Sequence, residues 1–162
     1  MHITFDFDHT LCILPREAQT GDLDWGPKIS IPFGEIVEQF KSLQEQGHTV
    51  SILTTRMDEN MATVHDFVTE QGLKPANIWN TNFEWKATFL NKLLVQGIKI
   101  DQHWDDNMTE FSEIKANETL DHVDFKLVLP PSFHLGTEVL QIIDPRNPTP
   151  DQQKLMWMLI RG

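Results

Sequence analysis

Short apolar runs rich in β-branched residues alternate along the chain with longer amphipathic stretches. Five runs have the length and composition of buried strands: Ile3 to Phe7, Thr49 to Thr54, Asn77 to Thr81, Lys99 to Asp105 and Asp124 to Leu129. Strands that alternate with helical stretches are typical of βαβ units, in which the strands are parallel. The pattern therefore predicts an α/β protein with a central, mainly parallel, five-stranded sheet.

Four amphipathic stretches lie between or beside these runs. The clearest extends from Phe33 to Gln46, where apolar residues recur at spacings of three and four. The second begins near Asp58, a residue type that caps helix N-termini well, and ends at Gly72. The third covers about Glu84 to Gln96, and the fourth follows Asp106. We expect a helix over each stretch.

Two segments fall outside the alternation. The first, Leu11 to Pro32, is rich in Pro, Gly and Asp, and we expect a flap or loop over the end of the first strand. The second is the tail, residues 130–162, whose run KLMWMLI is expected to pack on the core and cover the sheet, with a homodimer contact as the alternative. Because the chain shows neither repeats nor a linker, residues 1–162 are expected to form one domain.

The composition narrows the class of protein. Cys12 is the single cysteine, which excludes an internal disulfide framework and a cysteine-based metal cluster. The first residues, MHITFDFDHT, have no basic start and carry two aspartates, which neither a signal peptide nor a membrane span tolerates. The formal net charge of -11 opposes indiscriminate nucleic-acid binding but not a local cationic site for one phosphate. We expect a cytoplasmic protein without membrane contact.

The end of the first predicted strand carries an unusual pair of carboxylates. In ITFDFDHT, Asp6 and Asp8 are separated by one residue, and Thr10 follows. Residues at i and i+2 of a strand point to the same face, so two unpaired carboxylates would repel each other, and a bound cation would resolve the repulsion. Turn chemistry at a strand end is the simpler explanation of two aspartates. The carboxyl ends of parallel strands are, however, where open α/β sheets place their sites.

The segment DFDHTL resembles the first motif of the haloacid-dehalogenase-like phosphohydrolases, which have a Rossmann-like core. That superfamily has three further motifs: a Thr or Ser ending the second core strand, a Lys at a later helix, and an acidic pair after another strand. Their counterparts follow in this order: Thr54 in VSILT, Lys86 in EWKATFL, and Asp105 with Asp106 in HWDDN. The resemblance implies a three-layer sandwich around the predicted sheet.

The resemblance also implies a hydrolase that releases phosphate in two steps. Asp6 would attack phosphorus and form an aspartyl-phosphate, and Asp8 would protonate the leaving oxygen and then activate water. Thr54 would donate a hydrogen bond to a phosphoryl oxygen, and Lys86 would neutralise charge between the phosphoryl group and Asp6. We therefore predict a phosphoric monoester hydrolase, a haloacid-dehalogenase-like phosphatase.

The family's cofactor is Mg2+, which prefers hard oxygen ligands. By resemblance it would be held by Asp6, the backbone carbonyl of Asp8 and Asp105, with Asp106 binding directly or through water. The neighbouring His9 and His103 suggest a transition-metal site, but the family accepts many residues between the second Asp and the Thr, and adjacent strand positions face opposite ways. We therefore expect magnesium.

Three further residues are candidates for substrate binding: Thr10, Thr55 and Arg56. The arrangement Thr54-x-Arg56 resembles the phosphatase domain of phage-type polynucleotide kinase, in which such an arginine can serve the substrate. The alternative for Arg56 is a surface ion pair at the start of a helix. Trp85 and Trp104 flank the family motifs, and each either stacks on a base or belongs to the core.

The chain has little room for the cap domain that many relatives use to enclose small metabolites. The gap from Leu11 to Phe33 is about as long as a flap, and the gap from Met57 to Trp85 is nearly filled by one helix and one strand. An open site favours a nucleotide or a phosphorylated nucleic-acid end as the substrate. A small-metabolite phosphatase, a degenerate phosphate- or partner-binding protein, and a phosphate-accepting switch domain are the alternatives, and Asp8 argues against the switch because it promotes hydrolysis.

Overall fold

A computed structural model describes residues 1–13, 31–132 and 135–161. Its main element is a six-stranded sheet. The strands are β1 (His2–Phe5), β4 (Thr49–Thr54), β5 (Ile78–Asn80), β6 (Gln102–Asp105), β7 (Asp124–Leu129) and β8 (Gln141–Ile143), while β2 (Cys12–Ile13) and β3 (Ile31–Pro32) form a separate two-stranded pair. The order across the sheet is β5-β4-β1-β6-β7-β8. The first five of these strands are mutually parallel.

The five predicted runs correspond to the five parallel strands, so the predicted fold class is confirmed. The runs at Thr49–Thr54 and Asp124–Leu129 have the predicted bounds, whereas β1 ends at Phe5 rather than Phe7. The sixth strand, β8, comes from the tail and pairs antiparallel with β7. It was not predicted as a strand, because three residues carry no clear alternation.

Five α-helices accompany the sheet within the described residues: α1 (Gly34–Glu45), α2 (Ala62–Glu70), α3 (Lys86–Val95), α4 (Met108–Lys115) and α5 (Pro150–Arg161). The prediction that Asp58 caps the second helix is wrong. Asp58–Asn60 form a short 3-10 turn, and α2 starts after Met61 without a side-chain cap. The Asp58 carboxylate is used elsewhere, because it accepts a hydrogen bond from the Asn80 amide at 2.7 Å.

Two apolar clusters lie on opposite faces of the sheet and make three layers. One contains Ile52 of β4 with Phe40 of α1 and Phe67 of α2. The other contains Leu53 with Leu90 of α3 and Phe111 of α4. Adjacent residues of a strand point to opposite faces, so Ile52 and Leu53 enter different layers. Because the five strands are parallel, they all end at one common edge of the sheet, where a site can form.

The segments outside the alternation are only partly described. Strands β2 and β3 pair antiparallel, and the rest of the predicted flap, residues 14–30, lies outside the described residues. In the tail, β8 covers the edge of β7, and Met156 of α5 is buried in the second apolar cluster. No cap domain is present in the ranges that the structure describes. None of the described helices combines the length and apolar character needed to cross a membrane.

Candidate active site

A pocket of about 190 Å³ opens at the carboxyl edge of the sheet. Seven of the predicted residues line it: Asp6, Asp8, Thr55, Arg56, Lys86, Asp105 and Asp106. They come from four separate places in the chain, namely the ends of β1, β4 and β6 and the start of α3. They meet because parallel strands end at the same edge of the sheet. The structure therefore brings together most of the residues that the family motifs singled out.

Lys86 links the first motif to the last. Its ammonium lies 2.8 Å from Asp6 Oδ1 and 2.5 Å from Asp105 Oδ2, and all three side chains are almost fully buried. Burial alone would lower the pKa of Lys86, but the carboxylates of Asp105 and Asp6 raise it above its usual value. The lysine is therefore a permanent cation that holds two carboxylates together beneath the pocket.

Asp106 completes a compact group of carboxylates with Asp6 and Asp105. One carboxylate oxygen from each lies within 4.8 Å of the others. Burial and the Asp105 carboxylate raise the pKa of Asp6, and the same two causes raise the pKa of Asp106 to about 7. Burial would also raise the pKa of Asp105, but Lys86 and His103 hold it below its usual value. This group of three acids, two of them bonded to one ammonium, has the ligand atoms and the spacing to hold a metal ion.

His103 supports Asp105 from inside the core and is not a pocket residue. Its Nε2 lies 2.8 Å from Asp105 Oδ2, and its Nδ1 lies 2.7 Å from the hydroxyl of Thr4. Burial lowers the pKa of His103, so the ring is neutral, donating from Nε2 and accepting from Thr4. The backbone N–H of Asn107 donates to Asp105 Oδ1 at 3.1 Å. Both oxygens of Asp105 are thus oriented from the protein side.

Arg56 is paired with Asp8, which corrects the surface ion pair considered for it. The guanidinium donates from Nε and Nη2 to the two Asp8 oxygens at 2.9 and 2.8 Å, and Nη1 donates to the carbonyl of Asn60 at 2.9 Å. Only 4 % of Arg56 is exposed, and its guanidinium carbon lies 5.1 Å from the centre of the Phe7 ring. This planar, two-bond pairing fixes the orientation of the Asp8 carboxylate.

The same-face argument for Asp6 and Asp8 holds only in part. Strand β1 ends at Phe5, and the chain then turns, with the N–H groups of Thr10, Leu11 and Cys12 all directed to the carbonyl of Phe7. His9 in this turn has a left-handed backbone with φ of 60°. Asp6 and Asp8 both line the pocket, but one carboxylate is bound by Lys86 and the other by Arg56. Each carboxylate is therefore neutralised by its own cation, which reduces the repulsion between Asp6 and Asp8.

The three candidate threonines occupy different depths. Thr55 lines the pocket. Thr54 is not among the described lining residues, and its buried hydroxyl accepts from the N–H of Arg56 at 3.3 Å. Thr10 is also fully buried, with its hydroxyl 3.4 Å from Asp6 Oδ2. In this structure Thr55 is open to a ligand, whereas Thr54 and Thr10 bind to neighbouring protein groups.

Glu110 of α4 is a pocket residue that the sequence did not reveal. Its Oε2 accepts a hydrogen bond from the backbone N–H of Lys86 at 3.0 Å, which satisfies the first N–H of α3. Glu110 is buried, and this burial raises its pKa. Glu110 lies on the amphipathic helix α4, beside the buried residues Phe111 and Ile114, and nothing in its sequence position distinguishes it. Its contact with Lys86 is visible only in the tertiary fold.

The aromatic residues near the motifs separate into core and pocket. Trp104 is buried and stacks on Phe5 with ring centres 5.1 Å apart, so it belongs to the core and is not open to a base. Trp85 is 46 % exposed and is not among the described pocket residues. Phe83, which was not predicted, lines the pocket and is 73 % exposed.

The known proteins that match this chain were found by comparing structures, not sequences. No protein-family model matches the chain, and no curated protein matches it. A chain in a structure of the Pnkp1/Rnl/Hen1 RNA repair complex matches with a TM-score of 0.57 and 17 % identity over 78 % of this chain. A second structure of that complex matches with a TM-score of 0.54 and 17 % identity over 75 % of it.

The matched chains of the repair complex are much longer than this protein. The alignments cover 42 % and 44 % of their lengths. A class C acid phosphatase from Bacillus anthracis, with tungstate bound, aligns with a TM-score of 0.49 and 14 % identity over 75 % of this chain and 57 % of that one. With its strand order and its similarity to the repair-complex chains, the protein has the haloacid-dehalogenase-like fold, as its first motif predicted.

Proposed function

We propose that the protein is a Mg2+-dependent phosphomonoesterase that works through an aspartyl-phosphate on Asp6. The observation that carries the proposal is the buried group in which Asp6 and Asp105 share the ammonium of Lys86, with Asp106 beside them. A carboxylate at the floor of a pocket has no role in apolar packing. Its position beside a fixed cation suits a nucleophile that must approach an anionic phosphoryl group.

The first step uses Asp6 and Lys86. A carboxylate oxygen of Asp6 attacks phosphorus in line, the bond between phosphorus and the leaving oxygen breaks, and the phosphoryl group is attached to Asp6. Lys86 is bonded to Asp6 and reduces the repulsion between the incoming phosphoryl group and the carboxylate. Thr55 lines the pocket and can donate its hydroxyl to a phosphoryl oxygen, a role that the sequence placed on Thr54.

Asp8 serves as the acid and base in this proposal. Its two oxygens accept from Arg56, an arrangement that suits the ionised carboxylate and hence removal of a proton from the hydrolytic water. Protonation of the leaving oxygen requires one Asp8 oxygen to carry a proton, and each oxygen has a second lone-pair position that its bond from Arg56 does not use. Arg56 therefore orients Asp8 in both of its proposed roles.

The residues present fit a magnesium ion. Asp6, Asp105 and Asp106 offer hard oxygen atoms within 4.8 Å of one another, and the raised pKa values of Asp6 and Asp106 mark them as acids held close together. The backbone carbonyl of Asp8 is the fourth ligand that we propose. When bound, the ion supplies positive charge that neutralises the phosphoryl oxygens.

We propose a nucleotide or a phosphorylated nucleic-acid end as the substrate. The pocket is not covered by a cap in the described residues, so a leaving group of some size can extend from it. The matched chains belong to an RNA repair complex, which supports a nucleic-acid substrate as a hypothesis for this chain. A small sugar phosphate is the competing substrate class.

A phosphate-release screen with Mg2+ tests the proposal. The panel contains nucleoside monophosphates, oligonucleotides with a 3'- or 5'-phosphate, and sugar phosphates, and the control is Asp6→Asn. We expect Mg2+-dependent release by the wild-type protein, loss of release with a chelator, and no release by Asp6→Asn. Binding of phosphate esters without turnover would instead support the degenerate, binding-only alternative. Faster release from a sugar phosphate than from every nucleotide and oligonucleotide would overturn the substrate class.

A further inference from the structure

Phe83 places a flat apolar ring at the mouth of a charged pocket. The ring is 73 % exposed, whereas Phe5, Phe7, Phe40 and Phe125 are fully buried. Exposed in this way, Phe83 contributes little apolar burial to the fold. Among the described pocket residues it is the one phenylalanine or tryptophan, and the other lining side chains are polar or charged. The site therefore combines a floor of buried charged groups with an aromatic rim.

The backbone holds Phe83 in an unusual conformation. Asn82 and Phe83 have φ angles of 52° and 67°, the left-handed region that residues with a side chain rarely adopt. Two such residues in succession cost conformational energy, and backbone strain of this kind concentrates at functional sites. The strained conformation is consistent with a functional contact of the exposed Phe83 ring.

Several hydrogen bonds fix this strained turn to the loop that carries Arg56. The Phe83 N–H donates to the carbonyl of Thr55 at 2.9 Å, and the side-chain oxygen of Asn82 accepts from the N–H of Asp58 at 2.9 Å. The hydroxyl of Thr81 donates to the carbonyl of Glu84 at 2.8 Å. Because Thr55 itself lines the pocket, these bonds set the ring at a defined place relative to the site.

We infer that Phe83 is a specificity-determining residue that stacks on a nucleobase of the substrate's leaving group. This inference rests on the proposed phosphatase function and specifies the substrate class of that site. A phosphate bound on the pocket floor leaves its esterified group directed outwards, towards the exposed ring. A nucleobase offers a flat face of matching shape and polarity, and stacking of a base on an aromatic side chain is tolerant of sequence. A sugar without a base leaves the ring in water.

Two sources supply the same chemistry: a free mononucleotide and the terminal nucleotide of a strand. The net charge of -11 disfavours a long polyanion by long-range repulsion. Stacking on one terminal base is common to both sources, so the experiment uses one substrate of each kind. A lower KM for the oligonucleotide would identify a strand end, and a lower KM for the mononucleotide would identify the free nucleotide.

The test measures kcat/KM for a nucleoside monophosphate, a phosphorylated short oligonucleotide and ribose 5-phosphate, all with Mg2+. Loss of one stacked base commonly corresponds to a change in binding within about 5- to 100-fold, and we expect the lower part of that range at an exposed ring. In Phe83→Ala, the preference for nucleotide over ribose 5-phosphate should fall about 5- to 30-fold, mainly through KM. Phe83→Trp should keep the preference, and Phe83→Leu should lose most of it. Trp85→Ala, outside the described pocket, is the matched control.

An equal loss on all three substrates in Phe83→Ala would overturn the inference, since it would mean that the residue only supports the loop. Unchanged preference in Phe83→Ala would overturn it as well. If the wild-type protein releases no phosphate from any substrate, the proposed function fails separately. Calorimetry on the wild-type protein and on Phe83→Ala with Mg2+ then decides the stacking, because a mononucleotide should bind more tightly than ribose 5-phosphate only while Phe83 is present.

Discussion

The two sides of the pocket are built in different ways. The inner side, formed by Asp6, Asp105, Asp106 and Lys86, lies at the ends of β1 and β6 and the start of α3, and is held by buried ion pairs. The outer side, with Arg56 and Phe83, lies on the loops that follow β4 and β5. Arg56 is held by its ion pair with Asp8 and one bond to a backbone carbonyl, and Phe83 is held by a backbone hydrogen bond.

This difference separates metal binding and stability from the orientation of Asp8 and the recognition of the substrate. Ion pairs between rigid strand ends hold charged atoms at short fixed distances, which the phosphoryl-transfer step requires. The loop that carries Phe83 is held by a backbone hydrogen bond and tolerates other side chains at that position, so it suits the recognition of the leaving group. Changes on the inner side should therefore affect turnover, metal binding and stability, and changes on the outer side should affect turnover or substrate preference with less effect on metal binding.

The largest stability effect is expected for Lys86→Met. The substitution keeps the length and apolar stem of the side chain but leaves the buried Asp6 and Asp105 without their cation. Breaking a buried pair in this way costs about 3–5 kcal/mol of unfolding free energy. Denaturant unfolding without metal measures it, with Lys92→Met as the control.

Lys92 pairs with Glu84 at 2.8 Å, but both side chains are about half exposed. Exposed pairs contribute about 0–1 kcal/mol, so Lys92→Met should leave the unfolding free energy nearly unchanged. Equal losses in the two variants would show that the inner side gains nothing from burying its ion pairs.

A smaller effect, on turnover, is expected for Arg56→Lys. Lysine keeps the positive charge but not the planar pair of bonds to Asp8, so the proposed acid and base loses its fixed orientation. We expect kcat to fall on the order of 10- to 100-fold, which is less than the loss of the whole acid-base group, because Asp8 itself is still present. Mg2+ affinity, measured by calorimetry, should change little. Arg146→Lys, at an exposed arginine, is the control, and a large loss of Mg2+ affinity in Arg56→Lys would contradict the separation of the two sides.

The smallest effect is the pH dependence of Mg2+ binding to the inner side. The pKa of Asp106 is raised to about 7 by burial and by Asp105, so below that pH the metal-free protein holds a proton that Mg2+ must displace. The apparent Kd should therefore rise as pH falls, by up to about tenfold per pH unit below pH ~7, and be nearly constant above it. Calorimetry across this range measures the change, and Asp106→Asn should flatten it. Equal affinity on both sides of neutral pH would contradict the displacement of a proton from Asp106 by Mg2+.

The parallel sheet could be predicted from the sequence because its strands are buried on both faces. Such strands appear as continuous apolar runs, and those at Thr49–Thr54 and Asp124–Leu129 were predicted with their observed bounds. Strand β8 has three residues that are only partly buried, and its pairing with β7 depends on the tertiary fold. Short edge strands carry too few residues for a periodic signal.

The inner side of the pocket was also predictable, because each of its residues lies within a recognisable motif. Glu110 and Phe83 were not predictable. Glu110 lies on an ordinary amphipathic helix, and Phe83 lies in a turn with positive φ angles at positions where the sequence has no glycine to indicate them. Arg56 was identified as a candidate, but its partner Asp8 is 48 residues away in sequence. A contact between residues so far apart in sequence cannot be predicted from their spacing along the chain.

The most direct test of the central claim is to trap the phosphoryl group on the enzyme. Acid quenching during turnover of a verified substrate with Mg2+, followed by mass spectrometry of the peptide that contains Asp6, should show the mass of one added phosphoryl group on that residue. The same peptide from Asp6→Asn should show none, and its turnover should be lower on the order of 10^4-fold or more, as is common when a nucleophile is removed. Wild-type turnover by Asp6→Asn, or a phosphoryl group on another residue, would contradict the account.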